Sequence, residues 1–361
     1  MLFDSDITED GQLLQCFKIG KGENKVLFVA DIHPNEPIGR KTICSILEFY
    51  KKNFYKKYNL SFYIIPSAEA DYVKFNKWAI NPFSLSDFCK KQFIPEIENQ
   101  IDFQFDLRGR ELIQSKGARF LQKIIDKVEP EIYIPLHNGY LSDGFYCFTT
   151  QFNNTFLNST VKFAEKLTIK PSKRYENGSL KMKRYAQGYY EPLSPNDFKM
   201  ILPNKPNVIT SYHYANLKKG SHILIPEVPL FLLNLKVESL SVDLFNIFKE
   251  GMDLLDELSY NLDDKRFSFW NNNYNNSLKW SLNLDILTWR TLEIGGCSLF
   301  NLMFLIGIKY QLLNGEAKRR IFFWFKKVDF FLKKESIVIP FFEAGIKLQF
   351  NLIHNYLINF I

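Results

Sequence analysis

The feature that most restricts the fold of this chain is an apolar run that ends in a short polar turn and restarts as a helix. Lys25 to Ala30 (KVLFVA) reads as a buried strand. It is followed by Asp31-Ile32-His33-Pro34-Asn35-Glu36-Pro37, and then by the helical spacing of Ile38 to Lys57. Leu14 to Ile19, Leu60 to Ile65 and Glu131 to Leu136 read as further strands, and Glu111 to Val128 as a second long helix. Such alternation predicts an α/β fold, with a mixed, mostly parallel sheet and helices on both faces.

In open α/β sheets, ligands bind at the carboxyl ends of the strands. His33 and Glu36 sit there, three residues apart on one turn, so both can reach a single metal ion. His137 ends the run Glu131 to Leu136 in the same setting, and only five histidines are present to choose from. His33, Glu36 and His137 together form a candidate Zn2+ ligand set with one position open for water. Each residue also has a plainer reading. Glu36 in the first turn of a helix suits the helix dipole, and His137 can be a loop histidine before an Asn138-Gly139 turn.

A metal-held water needs a proton acceptor. Ile223 to Ile225 are apolar and lead into Pro226-Glu227-Val228-Pro229. A carboxylate between two prolines in an apolar segment is rigidly placed and partly desolvated, which raises its pKa toward the range of a general base. Glu227 is the candidate base, the alternative being a purely structural carboxylate.

This ordered set resembles the zinc carboxypeptidase superfamily of carboxypeptidase A type, which includes the succinylglutamate desuccinylase and aspartoacylase deacylases. That pattern has H-x-x-E after a strand, a second histidine about a hundred residues on, and a glutamate base later still. Asn35, Glu36 and Gly39 also match the N-E-x-x-G flank. The resemblance spans about residues 10 to 260. It implies a zinc-dependent hydrolase of C-terminal peptide or amide bonds, or an N-acyl amino acid deacylase on the same site. A non-catalytic binding or scaffold protein on this fold is a reading of another class.

Departures from the pattern bear on substrate. Peptidase members grip the terminal carboxylate with an Asn-Arg pair in D-x-N-R, whereas this chain has Asp102-Phe103-Gln104-Phe105. Phenylalanine cannot form the bidentate pair that guanidinium gives. Either Arg108 or Arg110 takes that place, or a free carboxylate is not bound in the usual way; a solvated surface charge is the plainer reading of both arginines. The aspartate often found two residues before the second histidine is Pro135 here. Asn138, in the Gly-containing loop that leads into a strand near Thr150, is placed to shape a substrate pocket. Tyr214, with Tyr212 and His213, lies where relatives carry a flap tyrosine; packing accounts for the same residues.

Composition bounds the partners. The formal charge is +7, from 46 Lys+Arg against 39 Asp+Glu. The basic residues are scattered as pairs such as Lys51-Lys52 and Lys326-Lys327, which suits solvated helix faces better than a nucleic-acid groove, so no nucleic-acid partner is expected. Five cysteines with no C-x-x-C pair read as reduced. Met1 to Gly11 lacks the charged and apolar regions of a secretory signal, so a cytoplasmic location is expected. Asn76 to Asn99 has no clear period and reads as a long loop.

The composition shifts near Asn261 to Ser277, where Asn271 to Asn276 read as a linker. The expected division is a catalytic domain over 1–262 and a helical C-terminal extension over 263–361. Gly295 to Ile308 is the most apolar window and reads as a buried helix, too short for a membrane span of ~20 residues. Ile321 to Phe331 has an amphipathic face, expected to pack on the core or on a second copy of the chain. A membrane partner is not expected.

Overall fold

The computed structural model describes residues 1–50, 57–76, 84–96, 99–106, 114–172, 182–198, 207–233, 242–257, 302–303, 305–334 and 338–361. The boundary expected near residue 262 and the Asn-rich linker lie outside these residues.

Among the described residues, a mixed sheet of 11 strands forms the centre. Its parallel middle consists of β4 (Leu60–Ile65), β3 (Asn24–Val29), β6 (Ile132–Pro135) and β12 (His222–Leu233), adjacent in that order. On one side β2 (Leu13–Gly20) pairs antiparallel with β4, and β1 (Leu2–Ile7) pairs antiparallel with β2 at the sheet edge. On the other, β12 pairs antiparallel with β8 (Tyr146–Thr149), which leads to β10 (Tyr189–Tyr190) and β9 (Arg184–Ala186). Two further strands join β12 off this path, β7 (His137–Ser142) in parallel and β13 (Val338–Pro340) antiparallel. Phe105–Asp106 (β5) and Val208–Ile209 (β11) form a separate short ladder.

Alternation along the strands divides the core into two layers. Val26, Phe28, Ile132, Ile134, Leu224 and Val228 face one cluster. Leu27, Val29, Tyr133, Ile223 and Ile225 face the other. Helices cover both. α1 (Ile38–Tyr50) supplies Ile38, Ile43 and Ile46 to the first cluster. Between α1 and the next long helix, α2 (Leu85–Lys91) buries Phe88 and Cys89 in that layer too. α3 (Lys116–Val128) supplies Phe120, Leu121, Ile124 and Ile125 to the second. α4 (Asn154–Lys166) and α5 (Ser211–Lys219) add Phe156 to the first layer and Ala215 to the second. The expected α/β architecture with a largely parallel central sheet and two covered faces is therefore the one adopted.

The C-terminal part is helical and shares the first cluster. Helical residues 305–312 bury Leu305, Ile306 and Ile308. α6 (Val242–Glu257) packs against α7 (Gly315–Lys334), which buries Ile321, Trp324, Phe325 and Val328 and leaves Phe323 and Phe330 exposed. α8 (Phe342–Phe360) closes the chain and packs on α1, α4 and β12. Among the described residues, no helix is long and apolar enough to cross a membrane.

Several local expectations are revised. The segment Asn76 to Asn99 contains α2, whose N-terminus is capped by Ser84 accepting from the Asp87 N–H. Its seven residues are buried nearly all round, so no helical period shows. α3 starts at Lys116, not Glu111, because the Ser115 side chain caps it by accepting from the Ala118 N–H. Asn138 and Gly139 are strand residues of β7, not a turn. Tyr212 to Tyr214 lie in α5, where Thr210 and His213 form a capping box. The apolar run at Ile223 does not stop at Pro226: β12 continues through both prolines, changing partners from β6 to β8 and β7 as it passes them.

Candidate metal centre

β3 and β6 are adjacent and parallel, with Val29 opposite Pro135. The residues that follow them therefore emerge side by side at one sheet edge. After β3 the chain turns sharply at Asp31, whose φ of 50° is left-handed. A second turn closes with the Glu36 N–H donating to the His33 carbonyl at 3.1 Å. Pro37 then leads into α1, whose first turn must come close to the sheet. Gly39 permits this, since a Cβ there would lie 2.7 Å from the Leu136 Cβ and 2.9 Å from its carbonyl oxygen.

His33, Glu36 and His137 converge at this edge. Each offers a ligand atom within 4.8 Å of the other two. The Glu36 Oε2 lies 3.2 Å from the His137 Nδ1 and accepts from the Asn138 N–H at 3.1 Å. The two imidazole centroids are 5.0 Å apart, and the His33 ring centroid lies 5.8 Å from that of Phe103. Two imidazoles and one carboxylate are a donor set that zinc takes at catalytic sites, so the residues present fit the ion.

The surroundings hold these side chains in place. Asn35 is fully buried and donates to Gln92 and to the Tyr140 hydroxyl, both at 2.9 Å. The Asn138 side chain accepts from the Ile38 N–H at 3.3 Å, capping α1 from the neighbouring strand. Asp102 accepts from the Ser211 N–H and hydroxyl, and the Tyr133 hydroxyl donates to that same Ser211 oxygen at 2.8 Å. Asp31 pairs with Arg40 at 2.9 Å.

Electrostatics separates the two imidazoles. Burial pushes His33 below its ordinary value, and Glu36 opposes this only in part. Burial also disfavours the charged form of His137, but the adjacent Glu36 outweighs it and lifts the group to about 9. Asp31 is raised to about 6 by burial, against the pull of Arg40. Glu69 is raised well above the usual carboxyl range by burial, despite accepting from the Ile101 N–H at 2.6 Å.

Glu227 lies on β12 in register with His137 of β7 and Tyr146 of β8, and it raises the His137 pKa electrostatically. The Tyr214 ring lies tilted against Phe105 with centroids 5.4 Å apart, and its hydroxyl donates to Asp126 of α3 at 2.9 Å. Arg108 and Arg110 lie outside the described residues. Gln104 and Phe105 have structural partners. The Gln104 side-chain carbonyl accepts from the Ser115 N–H at 2.7 Å, and Phe105 is fully buried in the second core cluster. Sequence reasoning singled out neither Asn35 as an anchor nor Asp102 as an acceptor for α5, because their partners Gln92, Tyr140 and Ser211 are remote in the chain.

No family model matches this sequence, and no curated protein matches it. Solved structures with similar backbones exist. One is a Shewanella denitrificans protein provisionally described as a metallopeptidase, at 11% identity and a TM-score of 0.44, covering 63% of this chain and 75% of that one. A second is a metallo-carboxypeptidase from Pseudomonas aeruginosa, in complex with (2-guanidinoethylmercapto)succinic acid. It matches at 8% identity and a TM-score of 0.40, over 63% of this chain and 54% of its own. A third is the succinylglutamate desuccinalase of Vibrio parahaemolyticus, at 13% identity and a TM-score of 0.35, covering 63% and 69% respectively.

Proposed function

We propose that this chain is a zinc-dependent hydrolase acting on a C-terminal peptide or amide bond. The observation that carries the reading is the convergence of His33, Glu36 and His137 within 4.8 Å at the carboxyl edge of two parallel strands. A zinc ion held by these three residues would polarise a scissile carbonyl and make a water acidic enough to ionise near neutral pH.

The chain's own residues supply the rest. Glu36 and Asn138 brace each other, so the carboxylate and the His137 ring keep their orientation as substrate enters. Glu227, across the strand pair from His137, would take a proton from water onto its carboxylate and pass it to the leaving amine nitrogen. Phe103, whose ring centroid lies 5.8 Å from that of His33, offers an apolar surface beside that ligand.

Where the peptidases resembled by this sequence carry the arginine of the carboxylate clamp, this chain has Phe105, which is fully buried. C-terminal peptides and N-acyl amino acids both present a free carboxylate beside the scissile amide, so the deacylase form of the reading stands on the same site.

Metal analysis of the purified full chain tests the proposal, beside a His33→Ala/His137→Ala double variant. The expected result is about one zinc per chain in the parent and none in the variant. The parent is then assayed against C-terminally unblocked peptides and N-acyl amino acids. No zinc in the parent after zinc is supplied rejects the hydrolase reading in both forms.

A further inference from the structure

α8 runs along β12 in the reverse direction and reaches the metal centre. The Phe341 N–H, just before the helix, donates to the Leu230 carbonyl at 2.9 Å. Gly345 comes so close to the sheet that a Cβ there would lie 2.9 Å from the Ile38 Cδ1 and 3.5 Å from the Pro229 carbonyl oxygen. The Gln349 Nε2 donates to the His137 carbonyl at 2.6 Å and lies 3.5 Å from the Pro226 carbonyl. Further on, the Tyr356 hydroxyl donates to the Ile223 carbonyl at 3.4 Å. Gly345, Gln349 and Tyr356 share a helical face, and the partners of all four residues on β12 descend as the chain ascends α8.

Gln349 is the exception on that face. It is fully buried, between apolar neighbours such as Leu348, Leu352 and Ile353. A carboxamide without water is costly unless bonded, and its Oε1 has no partner among the described residues. An aliphatic side chain would fill the space without that cost. What the carboxamide adds is a donor at one place, where Glu227 of β12 stands opposite His137 of β7. Pro226 has no N–H to give the sheet there, and Gln349 supplies one.

We infer that Gln349 is a positioning residue of the metal centre. By holding the His137 carbonyl beside that of Pro226, it keeps the backbone of a metal ligand in register with the backbone of Glu227. The C-terminal helix is thereby part of the site. This rests on the zinc reading above.

The test uses the full chain and zinc itself, with affinity measured by competition against a chromophoric chelator. The visible spectrum of the cobalt(II)-loaded protein reports ligand geometry. The variants are Gln349→Met and Gln349→Leu, both lacking the donor, with Tyr356→Phe as a control on the same helix face and His137→Ala as the site control. Either Gln349 variant is expected to weaken zinc binding roughly 10- to 100-fold and to change the cobalt spectrum. The melting temperature of the metal-free chain should stay close to that of the parent, and Tyr356→Phe should keep parental affinity and spectrum. Parental zinc affinity and cobalt spectrum in the Gln349 variants would overturn the positioning role alone, as would equal weakening in Tyr356→Phe. A parent that binds zinc no better than His137→Ala overturns both this role and the zinc reading.

Discussion

The Glu36 carboxylate stands 3.2 Å from the His137 ring nitrogen, although the two residues belong to different strand–helix units of the chain. Neither element holds this contact alone. It exists because β3 and β6 are parallel neighbours, and because Gly39 lets α1 start against Leu136. The pair is an ion pair when His137 is protonated, and its two members are ligand candidates when it is not.

Zinc must therefore compete with a proton on His137. With this group raised to about 9, zinc uptake between pH 7 and 8 should release about one proton from it. Calorimetric zinc titrations in buffers of different ionisation enthalpy measure this, and heats that do not vary with buffer would contradict it. The raised value also stabilises the metal-free fold. That contribution is complete below the ordinary histidine value near 6.5 and fades as the pH climbs through about 9.

Substitution should separate the base from the ligands. Glu227→Gln is expected to keep stoichiometric zinc and lose turnover by roughly 10²- to 10⁴-fold, the usual range for a general base. His33→Ala is expected to lose zinc and turnover together. Glu227→Gln with parental turnover would remove Glu227 from the proton-transfer role.

The first turn of α1 should tolerate no side chain at residue 39. A methyl group in Gly39→Ala would press on Leu136, directly before His137. Overpacking of this kind costs about 1–3 kcal/mol. Relief by moving α1 outward would also part Glu36 from His137. Denaturant titration together with zinc affinity checks both effects, and a variant with parental values on both counts would refute the steric account.

Glu69 gives a pH dependence of stability. Burial raises its carboxyl well above the ordinary value near 4.5, so the folded chain favours the protonated form. Its contribution to stability is therefore largest below that value and is lost as the pH rises toward the folded one. Glu69→Gln keeps an acceptor for the Ile101 N–H and cannot ionise. It should be more stable than the parent at pH 8, with the gap closing toward pH 4. Chemical denaturation at several pH values tests this; a gap that does not change with pH would count against it.

The alternation of buried strands and helices is written locally, so the α/β architecture can be read residue by residue. β3, β4 and β6 lie close to the apolar runs that announce them, and the turn after β3 carries its own polar residues. α2 escapes such reading, since in this seven-residue helix, packed against α7, the polar Ser86 and Lys90 are buried together with Phe88 and Cys89, so polarity does not mark an outer face. β12 escapes it in part, because prolines normally end a strand and do so less readily where the strand is changing partners.

His33, Glu36, His137 and Glu227 stand out in the chain because each is a polar residue beside an apolar run, which is a property of neighbours in sequence. Their approach to one another is a property of strand order. So are the anchoring of Asn35 by Gln92 and Tyr140, the bond from Asp102 to α5, and the reach of Gln349 to the His137 carbonyl. The sequence by itself determined the layered α/β fold and the kinds of side chain placed at the carboxyl edge of the sheet. Only the tertiary structure decided which of them meet and what holds them, because hydrogen bonds between remote segments leave no periodic trace in the chain.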